Sequence, residues 1–462
     1  MVKFREEKDS LGKIKVDSTK LWGAQTQRSL ENFQIGVGKF NFQKIFIEAL
    51  ALQKKSCALA NLDFKLLKKS QAEVIVQVCD LIINKKLEDQ FPLVVWQTGS
   101  GTQINMNMNE VIANKSNLLL GKKLPTNSPL HPNDHINKSQ SSNDTIPTAM
   151  HISTVLAIHR ELIPSIIQIK KTLKKKIKEF KGIIKIGRTH TQDATPIKLS
   201  NEFLAYYDQI YYAETVIKKS LDKLYNLAQG GTAVGSGVNS PKGFDKKFIQ
   251  HLKKISKLSF KTAPNKYEAL ASHDVFIEVM SGIEILTSSL FKMANDIRVL
   301  ASGPRSGIAE LILPANEPGS SIMPGKINPT QCEALSMVCA HVIGLKNSIT
   351  FACTQGHFQL NVYNPLIIHN TLDSINLISD ALISFDKNCL KGIKANKAKI
   401  RELLNNSLML VTPLTKVIGY DLASKVALNA YNKNISLKES CMELTDLSET
   451  DFERYTNPKN MV

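Results

Sequence analysis

A chain of 462 residues, 43% of them hydrophobic, can bury a sizeable core, which excludes wholesale disorder. Its formal charge of +18 leaves nucleic acid, membrane surfaces and acidic small molecules open as partners. Only eight of the 59 basic residues are arginine; readers of nucleic acid rely on the arginine fork, so a lysine excess spread along the whole chain speaks against a nucleic-acid partner.

The N-terminal segment MVKFREEKDS carries acidic residues and no apolar run, so no secretory leader is expected and the expected location is the cytoplasm. Residues 1–140 read as polar loops mixed with moderate helices. A turn at Lys20–Arg28 enters a helix, and residues 45–62 and 66–87 repeat apolar side chains at three- and four-residue spacing. The turn Gln97-Thr98-Gly99-Ser100-Gly101-Thr102 then opens a helix through QINMNMNEVIANKSN, despite asparagines at alternate positions. Turns of this kind cradle oxygens with backbone N–H groups.

From residue 141 the pattern changes. Ser141-Ser142-Asn143-Asp144 reads as a helix cap with Pro147 in the first turn, and helical periodicity runs on to residue 186. Further long helices are expected at 197–228, 266–302, 328–352 and 363–390. Helices near 25 to 40 residues need partners along their length, so the reading is a five-helix bundle over 141–395 that assembles with copies of itself. Residues 396–462 read as a small C-terminal helical domain. The class is therefore mainly α, with no strand-rich region expected. The uncharged run 347–372 holds Pro365 and many amides, which argues against a membrane span. The seven cysteines (57, 79, 332, 339, 353, 389, 441) show no CxxC and no Cys/His metal spacing, which fits reduced thiols and argues against a metal or iron–sulfur site.

Four polar clusters fall in helix-connecting segments. They are the Ser100-Gly101-Thr102 turn, His131-Pro132-Asn133-Asp134 followed by Ser141-Ser142-Asn143, GRTHTQDATP around His190, and GSSIMPGKINPTQCEAL from Gly319 to Leu335. A bundle gathers its connections at its ends, where loops from several chains can meet. Hydroxyls and amides with one lysine and two separate histidines suit a small carboxylate better than a phosphate or a metal.

The stretch GSSIMPGKINPTQCEAL resembles the signature of the fumarase/aspartase superfamily, and its PGK…NPTQCEA form resembles the class II fumarases. SGTQINMNMNEV, HPND, NKSQSSNDTIPTAMH, GRTHTQDATP and EKDSLGKIKVDSTKLWGAQTQRS match the same family in its order, over essentially the full length. The resemblance implies metal-independent, cofactor-free hydration of fumarate to (S)-malate, a step of the tricarboxylic acid cycle. It also implies a homotetramer whose active sites are each shared between three chains. On the matching positions, Ser320 is the base and His190 the proton donor/acceptor, paired with Glu333. Ser100, Gly101, Thr102, Ser141, Ser142 and Asn143 match substrate-binding positions, as do Thr189, Ser321, Lys326, Ile327 and Asn328. His131, Pro132, Asn133 and Asp134 match a second dicarboxylate site. Members of the family commonly carry a basic residue three positions before HPND, where this chain has Ser128.

A serine hydroxyl is a weak base in water. It serves only where loop N–H groups and a nearby cation stabilise the alkoxide. The carbanion formed next to a carboxylate is doubly negative at one end, so donors aimed there favour the transition state over the ground state. The nearest rival activity, aspartate ammonia-lyase, usually has Ala before the loop lysine and lacks TQCEA; Gly325 and residues 330–334 favour water over ammonia. Retention of Ser320, His190, Lys326 and Asn328 together speaks against an inert structural relative.

Overall fold

A computed structural model of the chain describes residues 3–462. An antiparallel hairpin of β1 (Phe4–Asp9) and β2 (Gly12–Asp17) leads into α1 (Ala24–Asn32), α2 (Lys44–Asp63) and α3 (Lys69–Ile83). Next come α4 (Thr102–Leu119) and α5 (Ser142–Ala157), which a π-helical turn at Ile158–Leu162 joins to α6 (Ile163–Glu179) in one run of 38 residues. A second hairpin, β3 (Ile184–Thr189) with β4 (Gln192–Lys198), precedes α7 (Leu199–Leu224). Short β5 (Asn226–Leu227) and β6 (Lys261–Thr262) pair in parallel across α8 (Phe244–Ser256). Then follow α9 (Lys266–Ala271), α10 (Asp274–Leu300) and β7 (Leu311–Ile312). After α11 (Thr330–Cys353) and α12 (Asn364–Asn388), β8 (Lys394–Ala395) returns to pair with β7. The chain ends in α13 (Lys397–Asn406), α14 (Thr415–Ile418), α15 (Tyr420–Lys433), α16 (Leu437–Leu444) and α17 (Glu449–Tyr455).

The mainly α class and all five long helices are present, but several readings need correction. Residues 266–302 form two helices, because the chain turns extended at Ser272 and buries His273, whose ring bonds Asn364 and meets Phe276 edge-on. The segments carrying EEKDSLGKIK and GRTHTQDATP are hairpins rather than loops, and α8 was not anticipated. Ser141 does cap α5, but Pro147 lies a turn deeper than expected. The uncharged run 347–372 is split between the end of α11, a connection and the start of α12.

The described residues divide into two compact units. The first comprises residues up to Pro164, Glu214–Ile285 and His341–Ile378; the second comprises Ser165–Ala213, Leu286–Ala340 and Ser379–Val462. In the first, α2 packs on α3, α5 and α8. α5 is buried from Asp144 to Ala157, and a helix surrounded on all sides must be small or apolar all round. Two of its hydroxyls comply by folding back: Ser153 Oγ and Thr154 Oγ1 donate to the Met150 carbonyl at 3.0 and 2.9 Å. α4 instead buries amides, with Asn107 Nδ2 donating to Gln90 O, Asn114 Nδ2 to Leu21 O and Asn117 Nδ2 to Leu130 O at 3.0, 2.8 and 2.9 Å. The alternate asparagines are therefore helical positions, Asn107 donating to irregular backbone and Asn105 and Asn109 both donating to Asn137 Oδ1 at 3.2 Å. In the second unit, β3 packs on α13 and β4 on Leu408–Leu414. There Ile186 joins a core with Leu414, Val426, Cys441 and Phe452.

Candidate functional site

The first unit carries a row of hydroxyls between two helix N-termini. Gly101, at φ +74°, precedes α4, and Ser141 precedes α5. Ser100 Oγ lies 2.9 Å from Thr102 Oγ1, which lies 2.9 Å from Ser142 Oγ. Ser141 Oγ accepts from Asn143 N at 3.2 Å, and Asn143 Nδ2 donates to Ala233 O at 2.9 Å. The positive ends of two helix dipoles thus converge on one polar row, an arrangement that attracts a carboxylate. The turn before α4 is held by a close approach at Gly99: a Cβ there would sit 1.4 Å from Val362 O, and Asn364 N donates to Gly99 O at 3.0 Å.

Beneath this row lies a polar network that sequence reasoning missed. Asp144 Oδ1 accepts from Ser141 N at 2.9 Å, while Oδ2 accepts from Gln229 Nε2, Gly230 N and Thr232 N at 3.0, 3.0 and 2.9 Å. One carboxylate therefore ties the start of α5 to the Gly-rich turn at 229–237. Burial pushes its pKa up to about 6 against the pull of those N–H groups. Gln53 Nε2 continues the network, 2.7 Å from Gln229 Oε1 and 3.0 Å from Gln140 Oε1. Lys54 Nζ, 1% exposed as a residue, donates to Gln140 Oε1 and Asn137 Oδ1 at 2.9 and 3.1 Å. Burial lowers its pKa to about 8.

The second unit carries the other candidates. His190 and Thr191 form the two-residue turn of the β3–β4 hairpin, with Thr189 paired to Gln192. Both have positive φ, +55° and +62°. Two-residue hairpin turns favour Asn-Gly at such angles, and a β-branched residue there is an outlier costing on the order of 1–3 kcal/mol. At the stem the Arg188 fork meets Glu310, Nη1 to Oε2 at 3.1 Å and Nη2 to Oε1 at 2.9 Å. Lys185 Nζ lies 3.2 Å from Glu310 Oε2 and 2.8 Å from Glu202 Oε1. Burial pushes the Glu202 carboxyl above its ordinary value, with Lys185 opposing it.

The loop at residues 313–329 closes on itself. Gly319 N donates to Lys326 O at 3.0 Å, and a Cβ on Gly319 would come within 2.1 Å of that oxygen. Asn328 Nδ2 donates to Gly319 O, so its amide clamps the loop base. Ser320 Oγ accepts two backbone N–H groups, from Met323 at 3.1 Å and Ile322 at 3.3 Å. Residues 315–320 and 323–327 line a concavity of about 410 Å3 that includes Ser320, Lys326 and Ile327 but not Ser321. Ser321 and Lys326 are exposed, as is Glu333 in the first turn of α11.

At HPND, His131 Nδ1 accepts from Asn133 N and Asp134 N, both at 3.2 Å, and so caps the short Pro132–Ile136 turn. His131, Pro132 and Asn133 border a concavity of about 430 Å3 that also meets Glu7, Lys8, Asp9 and Glu110. Lys122 and Lys123 are not among its lining residues. Asp9 is neutralised by the Arg28 fork at 2.8 and 3.0 Å, which holds its carboxyl below the usual range. Among the described residues, no group of three or more His, Cys, Asp or Glu is placed to hold a metal ion.

The chain matches the Lyase family over residues 12–344 and the Fumarase C C-terminus family over residues 410–462. It is 52% identical over 460 residues to the mitochondrial fumarate hydratase of Rhizopus oryzae, covering 100% of this chain and 93% of that one. It is 53% identical over 462 residues to the class II fumarate hydratase of Rickettsia conorii, covering 100% and 99%. The crystal structure of the class II fumarase from Schistosoma mansoni is 40% identical and superposes with a TM-score of 0.97 over 99% of each chain.

Proposed function

The chain belongs to the class II fumarate hydratase family of lyases, and from that membership we propose a mechanism in which Ser320 and His190 move the protons of reversible fumarate hydration. In the malate-to-fumarate direction Ser320 takes the proton next to a carboxylate, and the resulting carbanion spreads into that carboxylate. The observation that carries this reading is the pair of backbone N–H groups donating to Ser320 Oγ. Those donors stabilise the hydroxyl more as it becomes an alkoxide, which makes a weak base usable. Lys326, on the same loop concavity, adds positive charge. His190 returns or receives the second proton, with Glu333 as its acid partner. The hydroxyl row of Ser100, Thr102 and Ser142, with Gly101, Ser141 and Asn143, holds one substrate carboxylate; Thr189, Ser321, Ile327 and Asn328 complete the binding set.

The complete site is built from several chains of a homotetramer. α11 supports this, because Ala334, Met337, Ala340, Gly344 and Phe351 leave an apolar stripe on its exposed side, with Met337 68% and Phe351 62% exposed. Such a stripe on a helix of mean hydropathy 1.2 needs a partner. At HPND, Ser128 stands in place of the basic residue common in the family and His131 Nδ1 already accepts from Asn133 N and Asp134 N, so His131 to Asp134 act chiefly as structure.

The test is loss of fumarate ultraviolet absorbance, with no metal added, in the presence and absence of ammonia. Hydration without ammonia is expected; activity that requires ammonia would sink the proposal.

A further inference from the structure

The hairpin that carries His190 ends in a turn its own residues disfavour. His190 and Thr191 both sit at positive φ without a glycine between them. Beyond the irregularity between Ile186 and Arg188, only two residue pairs, Arg188 with Asp193 and Thr189 with Gln192, hold the tip in register. A backbone held in a sparsely populated region persists only where its surroundings over-determine it. The stem therefore needs an anchor outside the hairpin.

That anchor is in view. Glu310 is 0% exposed, and its carboxylate receives the Arg188 fork on both oxygens and Lys185 Nζ at 3.2 Å. Its backbone is fixed on both sides: Glu310 N donates to Leu300 O at 2.8 Å, and Asn396 N donates to Glu310 O at 2.9 Å. It also stands at the head of β7, from which the Ser320 loop departs. A fork-to-fork contact fixes angle as well as distance, which a single lysine contact does not. Arg188 is two residues from His190, so the direction of its guanidinium sets the path of the chain into the turn.

We propose that Glu310 is a positioning residue for catalysis, holding the His190 turn, through Arg188 and Lys185, in fixed register with the base of the Ser320 loop. This rests on the proton-transfer role assigned to His190 above. Neither Glu310 nor Arg188 touches substrate in this reading; the effect on chemistry runs through the geometry of His190. The loss should therefore fall mainly on turnover, with a smaller effect on substrate affinity through Thr189, since the hydroxyl row and Lys326 are not held by Glu310.

Two variants test it. Arg188→Lys keeps the charge and removes the fork, so it folds even if Glu310→Gln, which takes the counter-charge from half-buried Arg188 and leaves buried Lys185 with Glu202 alone, does not. For both, kcat, KM for fumarate, thermal midpoint, oligomeric state and the rate of His190 carbethoxylation by diethyl pyrocarbonate are measured, with His190→Asn as control. In Arg188→Lys, kcat should fall at least tenfold, KM should stay within threefold, and His190 carbethoxylation should change at least threefold. Wild-type kcat in Arg188→Lys overturns the proposal, as does a fall in kcat with unchanged His190 reactivity. If His190→Asn retains wild-type turnover, the role of His190 fails and this inference falls with it. If His190→Asn is inactive while Arg188→Lys is normal, only the positioning role fails.

Discussion

The hydroxyl row of the first unit and the hairpin and loop of the second present polar groups by opposite means. Ser100, Thr102 and Ser142 sit at the starts of regular helices, and a buried carboxylate, Asp144, ties their backbone from below. His190 sits on a turn with unfavourable φ, and Ser320 on a loop closed by the approach of Gly319 to Lys326 O and by the Asn328 amide. Where regular structure aims the groups, damage should spread into the fold. Where a turn or loop aims them, damage should stay local and appear in turnover.

The two glycine contacts give the sharpest contrast. Gly99→Ala puts a methyl 1.4 Å from Val362 O, inside the first unit, and should cost at least about 4 kcal/mol, leaving little folded protein. Gly319→Ala meets Lys326 O at 2.1 Å, but in an exposed loop. It should leave the thermal midpoint within a few degrees while fumarate hydration collapses. Equal thermal losses in the two variants would erase the distinction. Next in size is Ser320→Ala, which should lower kcat about 10²- to 10⁴-fold with normal melting, the range for losing a general base. Turnover within tenfold of the parent would remove Ser320 from that role.

Asp144 probes the supported side by pH. Its folded pKa lies near 6 against an ordinary 3.8, so its stabilising contribution is complete below about 3.8 and is lost as pH rises through about 6. Moving that carboxyl from 3.8 to about 6 corresponds to about 3 kcal/mol. Asp144→Asn keeps one acceptor oxygen and turns the other into a donor facing some of the four N–H groups at every pH, a constant offset. Relative to that variant, the wild type should lose up to about 3 kcal/mol between pH 4 and 7, read as a narrowing gap in unfolding midpoints. A gap that does not change with pH would show that the carboxyl titrates normally.

The same contrast explains what was legible in the sequence. The long helices were, because their apolar spacing is local and each lies near its expected span. The Ser141 cap was legible for the same reason. The depth of Asp144 was not, since its partners Gln229 to Thr232 lie more than 80 residues away and nothing nearby marks them. Lys54 reads as an ordinary lysine of an amphipathic helix, yet it is buried against Gln140 and Asn137. The β3–β4 hairpin did leave a signal, in the alternation Ile184-Lys185-Ile186, but its turn residues, His-Thr, are not those that announce a hairpin. The break at Ser272 depends on where His273 finds Asn364, again a distant partner.

The smallest expected effect bears on the strained turn itself. Thr191→Gly removes a Cβ from a residue at φ +62° and so relieves about 1–2 kcal/mol of strain. Glycine also gives the unfolded chain more freedom, which costs about 0.5–1 kcal/mol. The net change in stability should therefore lie between zero and about 1.5 kcal/mol of stabilisation, a small rise in thermal midpoint. Turnover should move the other way, by several-fold, because a turn free to leave its left-handed geometry no longer presents His190 in one place. A variant both more stable and slower, with unchanged KM, would mark the strain as serving orientation. Unchanged turnover would mean that the Arg188 anchor alone orients His190, and that Thr191 is incidental.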